Sequence, residues 1–158
     1  MIILRFVRAH KLFSDLISFD ERFWATHVEA VMPDGNYVGA HFFGGVQSRT
    51  PGYDRWVRQL FVNLPCTEAQ QKAHLDYLIR RLGTPYDWQS ILGFAAHGDF
   101  HATHHMICSA LIHMSLRQPE APWFPYPLAI PAHMTSPAIL AVALSGIVLF
   151  GDPEENNP

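Results

Sequence analysis

The residues of this chain best suited to chemistry are one cysteine and one histidine that lie far apart in the sequence. Cys108 opens the apolar run CSALI, whose pattern predicts the first turn of a helix. His27 lies upstream in the alternating run ATHVEAV, which predicts a strand. A thiol at a helix N-terminus and an imidazole on a strand are the groups that nucleophilic acyl chemistry needs. Either residue alone is more often a structural one, so the hypothesis depends on the fold bringing the two together.

A β-hairpin and a helix must position these two groups. Period-two alternation predicts a strand over 25–31, and the run MPDGN at 32–36 predicts a turn because Pro presets one φ and Gly accepts a positive φ. Residues 37–43 then form the returning strand of the hairpin. The helix that begins at Cys108 is expected to run to Leu116, ahead of Pro119.

The length of the hairpin loop decides which residue faces His27. A three-residue loop over 33–35, a type I turn followed by a left-handed Gly, places His27 directly opposite His41 on one face of the sheet. A two-residue Asp-Gly loop would shift the register by one and send His41 to the other face. We favour the first register, so His41 is the predicted orienting residue for His27. Glu29, two residues along the same face, is the alternative.

The remaining elements are read from caps, breakers and periodicity. Thr67 and Gln70 form a capping box, and Gly83 ends the helix that follows. Asp87 is a cap for a short helix through Phe94. The pattern predicts, in addition, strands over 2–7 and 56–64, a last helix from the Ser136 cap to about 144, and a frayed acidic tail over 151–158.

Composition excludes several functional classes. The 158 residues fit one domain, and 49% hydrophobic with 16% charged residues indicates a globular chain. A net charge of −3 gives no electrostatic footprint for nucleic acid. Two cysteines are too few for a disulfide framework, and Cys66 is expected to be structural. No run has the features of a signal peptide or membrane span, which predicts a cytoplasmic protein.

A histidine-rich loop over 95–106 raises the question of a metal site. It contains four histidines and one acidic residue: His97, Asp99, His101, His104 and His105. Three of the histidines have helix-like spacing, but Gly98 argues against a helix, and no Cys or Glu completes a zinc pattern. We therefore predict no metal and no cofactor, and expect these histidines to line or cover the active-site cleft.

The run LGTPYDW followed by ICSALI resembles the cysteine-helix half of the NlpC-type, papain-like cell-wall peptidases. In ordinary members of that superfamily the histidine-bearing strands follow the helix, whereas here THVEAVMPDGNYVGAH precedes it. This order is similar to the circularly permuted branch, which includes the YiiX-like hydrolases and the lecithin retinol acyltransferase-like enzymes. The resemblance spans roughly residues 26–116. The Ala110 after Cys108-Ser109 and the histidine-rich loop depart from the usual pattern.

The resemblance implies an α+β, papain-like domain over 1–150, with an antiparallel sheet packed on the cysteine-bearing helix. It implies a cysteine peptidase or amidase acting on a peptidoglycan-type peptide. Cys108 would then be the nucleophile, His27 the general base, and Tyr86 an oxyanion or substrate contact. Glu29 would contact a free substrate amine if it does not orient His27, and Trp88 is expected to be a core aromatic.

Two alternatives to amide hydrolysis remain open from the sequence. The same Cys and His could transfer an acyl group or hydrolyse a thioester or ester of a lipid, since the segment 123–150 is apolar enough to line a greasy cleft. A catalytically silent binding module that kept the fold is the alternative from another class. The expected partner is thus a peptide or acyl substrate, with no nucleic acid and no membrane span.

Overall fold

The computed structural model describes residues 1–9, 23–90, 104–125, 128–148, 150–152 and 154–155. In these ranges the chain is α+β, and all strand pairs of its six-stranded sheet are antiparallel, in the order β4-β3-β2-β1-β5-β6. The strands are β1 (Ile2–Ala9), β2 (His27–Val31), β3 (Tyr37–His41), β4 (Gly45–Arg49), β5 (Trp56–Leu64) and β6 (Glu154–Glu155). The predicted class and the antiparallel sheet are confirmed.

The helices begin and end close to the predicted residues. They are α1 (Glu68–Arg81), α2 (Cys108–Ser115) and α3 (Pro137–Ser145), with a 3-10 turn at Ala132–Met134. Thr67 and Gln70 make both hydrogen bonds of the predicted capping box at α1. Ser136 accepts from the backbone N–H of Ile139 at the start of α3. None of the helices in the described part of the chain is long and apolar enough to cross a membrane.

The sheet has one apolar face and one polar face. Leu4 and Phe6 of β1 lie opposite Ala30 and Val28 of β2, and these side chains share a core with residues of α2. Arg5 lies between Leu4 and Phe6 in β1 and pairs with Glu29 of β2, so its side chain is on the other face. Strand β1 therefore lies at the centre of the sheet and is buried on both faces.

The turn between β2 and β3 has the predicted three-residue form. The N–H of Met32 donates to the carbonyl of Asn36, and the N–H of Gly35, at φ +84°, donates to the carbonyl of Met32. The ladder pairs Ala30 with Val38 and Val31 with Tyr37, which is the predicted register. Continued along the strands, this register places His27 across from His41.

A short loop over 83–87 is hydrogen-bonded both to the sheet and to the segment just before the cysteine-bearing helix. The N–H of Val46 in β4 donates to the carbonyl of Thr84, and the N–H of Gly83 donates back to Val46. On its other side the loop exchanges two hydrogen bonds with Met106, which lies two residues before Cys108. Helix α2 also packs against β2 and β3. The loop therefore fixes where Cys108 lies relative to the hairpin.

Some predicted features differ in the structure or fall outside the described residues. Trp88 is 52% exposed, so its assignment to the core is wrong, because about half of its surface is in contact with solvent. Glu154 and Glu155 pair with β5, so the tail is not frayed at these two residues. Residues 88–90 are helical and Ser90 bonds to the Asp87 side chain, but the remainder of the helix predicted through residue 94 lies outside the described residues.

The close contact of β4 with the loop predicts a stability difference between two glycines. A Cβ on Gly45 would lie 2.1 Å from the carbonyl oxygen of Thr84, whereas one on Gly52 would have no heavy atom within 4 Å. Both have positive φ, so Gly52→Ala reports the backbone cost alone, about 1 kcal/mol. Gly45→Ala is expected to lower the free energy of unfolding by at least about 2 kcal/mol more. Urea titrations check this, and equal losses would contradict the contact.

Candidate active site

Cys108 is the first residue of α2, as predicted, and its side chain is buried at the helix N-terminus. Burial raises the pKa of the thiol. The charge and hydrogen bond of His27 and the backbone N–H groups of Val28 and Ser109 lower this pKa by more than burial raises it, so the net shift is downward. The positive end of the helix dipole acts in the same direction. The local structure therefore favours a thiolate at this position.

His27 at the start of β2 links the thiol to a carboxylate. Its side chain hydrogen-bonds Cys108, and its Nε2 lies 3.3 Å from Oε1 of Glu29. Since Nε2 faces the carboxylate, Nδ1 is the nitrogen left for the sulfur. Burial lowers the pKa of His27, but the neighbouring thiolate and carboxylate outweigh it and raise that pKa to about 10. Cys108 and His27 thus favour the thiolate–imidazolium form.

Glu29 is fully buried, and every contact it makes favours the ionised form. Nη1 of Arg5 donates to its Oε2 at 3.0 Å, and the hydroxyl of Tyr53 donates to its Oε1. Burial raises the pKa of the carboxyl, but the hydrogen bonds and charges of His27, Tyr53 and Arg5 together lower it to about 2. With 0% exposure, Glu29 has no surface to offer a substrate amine, so that expectation is wrong.

His41 lies on the same face as His27, as predicted. The two ring centroids are 4.9 Å apart, and Nε2 of His41 lies 3.6 Å from the same Oε1 of Glu29. The ring also meets that of Tyr53 edge to face at 5.4 Å. Two imidazoles therefore border one carboxylate oxygen. The role of His41 as the orienting residue stays a prediction, since the carboxylate lies 3.3 Å from the relevant nitrogen of His27.

The sequence reasoning missed the buried cation that supports Glu29. Arg5 is 1% exposed, and besides Glu29 it bonds Gln59 through Nε at 2.9 Å and pairs with Asp54 at 3.3 Å. The signal was present, because Arg5 interrupts the otherwise apolar run IILRFV of a strand. A charge at such a position requires an ionised partner when the strand is buried.

Gly39 is a second residue that the sequence reasoning missed. The register of β2 and β3, continued past Ala30 and Val38, places Gly39 across from Glu29. A Cβ on Gly39 would lie 3.1 Å from Cγ of Glu29 and 3.2 Å from Nε2 of His27. Only a residue without a side chain leaves this space open. Gly39 therefore allows the histidine and the carboxylate to meet above the strand.

Tyr86 lies beside the nucleophile, as the motif resemblance implied. Burial raises its pKa, and the negative charge of Cys108 raises it further. Tyr86 pairs with Met106 in an isolated bridge, and its ring packs against Phe42 at 5.7 Å between centroids. The hydroxyl therefore stays protonated and able to donate a hydrogen bond near the sulfur, while its oxyanion or substrate role stays a prediction.

The residues of the histidine-rich loop are only partly described. His97, Asp99 and His101 lie outside the described residues, so the structure does not bear on their predicted role. His104 is described and exposed, with φ +70°. In the described part of the chain, the one group of His, Cys, Asp or Glu side chains that could hold a metal ion is instead His27, Glu29 and His41.

Comparisons with models of protein families, with curated proteins and with solved structures find no match to this chain. The resemblance of the LGTPYDW and CSALI runs to a peptidase superfamily therefore stays a prediction.

The thiol–imidazole contact predicts how Cys108 responds to pH. In a Cys66→Ser background, iodoacetamide should alkylate Cys108 more slowly as the pH is lowered, because the reactive thiolate becomes protonated. The pH at which the rate is half-maximal should lie below 9, since the pKa of Cys108 is lowered. Replacing His27 by Gln removes the imidazolium, so the midpoint should rise by at least about one pH unit. Mass spectrometry follows the labelling. Identical midpoints in the two proteins would contradict the ion pair.

Proposed function

We propose that the protein is a cysteine hydrolase that cleaves an amide bond, with Cys108 as the nucleophile and His27 as the general base. The observation that supports this most directly is the chain of contacts from the Cys108 thiol through His27 to the ionised Glu29. A nucleophile, a base and a group that orients the base are the three components that such catalysis needs. Here all three lie within a helix terminus and one hairpin.

The residues present account for both halves of the reaction. The thiolate of Cys108 attacks the carbonyl carbon, and the carbonyl electrons move to oxygen, where the backbone N–H of Cys108 and the hydroxyl of Tyr86 can donate hydrogen bonds. Imidazolium His27 then gives its Nδ1 proton to the leaving amine as the C–N bond breaks, which leaves a thioester. Water attacks the thioester while His27 takes one of its protons, and the thiolate departs as the acid product forms.

We assign the orienting role to Glu29 in place of His41, the residue that the sequence favoured. Throughout both half-reactions Nε2 of His27 keeps its proton, and the carboxylate 3.3 Å away can accept it. A carboxylate stabilises an imidazolium more than a neutral imidazole does, because it carries a full negative charge. Glu29 is in turn held by Arg5 and Tyr53, so its position is fixed before substrate binds.

The arrangement of the elements is compatible with a papain-like domain of the permuted type, and we extend the proposal to that family. The histidine-bearing hairpin precedes the cysteine-bearing helix in the chain, and α2 packs against β2 and β3 of that hairpin. By this proposal a peptidoglycan-type peptide is the substrate. The scissile amide would approach the N-terminus of α2, where Cys108 lies.

Hydrolysis of a lipid ester or thioester, or acyl transfer, is a second candidate that one observation favours. Aromatic side chains near Tyr86 are exposed: Phe42 by 47%, Phe43 by 77% and Trp88 by 52%. An apolar rim beside the nucleophile suits the acyl chain of a lipid as well as the side chain of a peptide. The same thiolate and imidazole would carry out either reaction.

Substitution of the two cysteines tests the proposal directly. Cys108→Ala is expected to abolish hydrolysis of a panel of peptide amides and acyl esters, because no other group replaces the thiolate. Cys66→Ala is the matched control and should retain the wild-type rate, since Cys66 lies between the end of β5 and the start of α1. Circular dichroism and thermal melting of each variant show that the fold is kept. If Cys66 were the essential thiol, the proposed mechanism would be wrong.

Two substitutions separate Glu29 from His41 as the orienting residue. Glu29→Gln keeps the shape of the side chain but removes its charge, so kcat should fall about 100-fold with KM nearly constant. His41→Asn should lower kcat by less than about tenfold if its ring only borders the carboxylate. Steady-state kinetics on a substrate from the panel measure both. A larger loss at His41 than at Glu29 would restore the sequence-based assignment.

A further inference from the structure

The group formed by His27, Glu29 and His41 has a geometry that catalysis alone does not require. One ligand atom from each of the three side chains lies within 4.8 Å of the other two. Nε2 of His27 and Nε2 of His41 lie 3.3 Å and 3.6 Å from the same carboxylate oxygen. In a tetrahedral zinc site with bonds of about 2.0–2.1 Å, neighbouring ligand atoms are about 3.4 Å apart. The two distances to the carboxylate oxygen are close to that spacing.

The surroundings of the carboxylate are those of a metal ligand. Arg5 donates to Oε2 of Glu29 and Tyr53 donates to Oε1, so the carboxylate is ionised and cannot rotate away. Carboxylate ligands in metal sites are commonly held by such outer hydrogen bonds. Nε2 of His27 is buried, and its 3.3 Å contact with Oε1 of Glu29 lacks the alignment of a strong hydrogen bond. It therefore presents a nitrogen to the same space as the carboxylate oxygen.

The space beside the ligand atoms is free of a side chain from β3. Gly39 has no side chain, and the position its Cβ would take lies 3.2 Å from Nε2 of His27 and 3.5 Å from Oε1 of Glu29. The His27 side chain is 18% exposed, although its Nε2 is buried. An ion held by three protein ligands would keep a fourth position for water.

We propose that His27, Glu29 and His41 bind a divalent ion of the zinc class, and that this ion inhibits the enzyme. Binding replaces the proton on each coordinating Nε2 by a metal–nitrogen bond, and these protons pass to solvent. With the metal on Nε2, the neutral ring of His27 carries its proton on Nδ1, so Nδ1 has no lone pair to accept another and His27 cannot act as the base. The binding step is independent of the proposed hydrolase activity, but its inhibitory effect rests on that function.

The test uses the full chain, stripped with a chelator and titrated with Zn²⁺ alone in competition with a chromophoric zinc indicator. Wild-type protein should bind one equivalent. Cys108→Ala should bind within about twofold of wild type, because the sulfur is not a ligand, whereas His41→Asn should bind at least about tenfold more weakly. His104→Asn is the matched control, since His104 is exposed and Asn tolerates its positive φ. It should bind Zn²⁺ like wild type.

The outcomes separate this inference from the proposed function. Zinc should inhibit hydrolysis reversibly, and chelation should leave the rate unchanged or raise it. An active enzyme that does not bind Zn²⁺ overturns the metal site alone. Binding lost in Cys108→Ala or in His104→Asn overturns it too, because the ion would then be held by the thiolate or the histidine-rich loop. Zinc binding with the expected variant pattern in a protein with no hydrolase activity supports the site and rejects the proposed function.

Discussion

The ion pair between Arg5 and Glu29 is the interaction on which the site depends. Both side chains are almost completely buried, and Glu29 is ionised because Arg5, Tyr53 and His27 surround it with positive charge and donors. Breaking a buried ion pair by removing one partner costs about 3–5 kcal/mol, because the remaining charge is left without compensation. The central strand and the hairpin are therefore coupled through this contact, and the position of His27 follows from it.

The polar face of the sheet thus combines a structural and a chemical role. Arg5 is shared between Glu29, Asp54 and Gln59, so it ties β1 to β5 and to the loop before β5. The same carboxylate that neutralises Arg5 borders the imidazoles of His27 and His41. The carboxylate that compensates the buried charge of Arg5 is therefore also the group available to orient a base or hold an ion.

The nucleophile reaches the polar face from a different element. Helix α2 packs on the apolar face, and its first residue contacts His27 at the start of β2. The loop over 83–87 is hydrogen-bonded to β4 on one side and to Met106 on the other. These bonds fix the position of the N-terminus of α2 relative to the sheet. The geometry of the candidate site is accordingly set by backbone hydrogen bonds near Cys108 and by side-chain ion pairs near His27.

Local patterns in the sequence were sufficient for most of the elements and for one non-local pairing. They were not sufficient for β4, because the Gly44-Gly45 pair predicts that the chain leaves the sheet, whereas Gly45–Arg49 pairs with β3. The capping box at Thr67, the helix start at Cys108 and the three-residue turn at 33–35 are all determined by residues close in sequence. Because a hairpin register follows from its turn, the facing of His27 and His41 could also be predicted. The exposure of Trp88 could not be predicted, since it depends on how the segment around residue 88 lies against the rest of the protein.

By itself the sequence determined strands β1, β2, β3 and β5, the capped helices, the hairpin register and the candidate pair Cys108 and His27. Only the tertiary structure shows which neighbour holds a fixed charge beside His27, because the register places both Glu29 and His41 on the face of that residue. That charge depends on Arg5, 24 residues away from Glu29, and on Tyr53 from a different loop. Burial makes those long-range contacts strong enough to fix the charge of Glu29, and burial is a property of the packed chain rather than of any local run of residues.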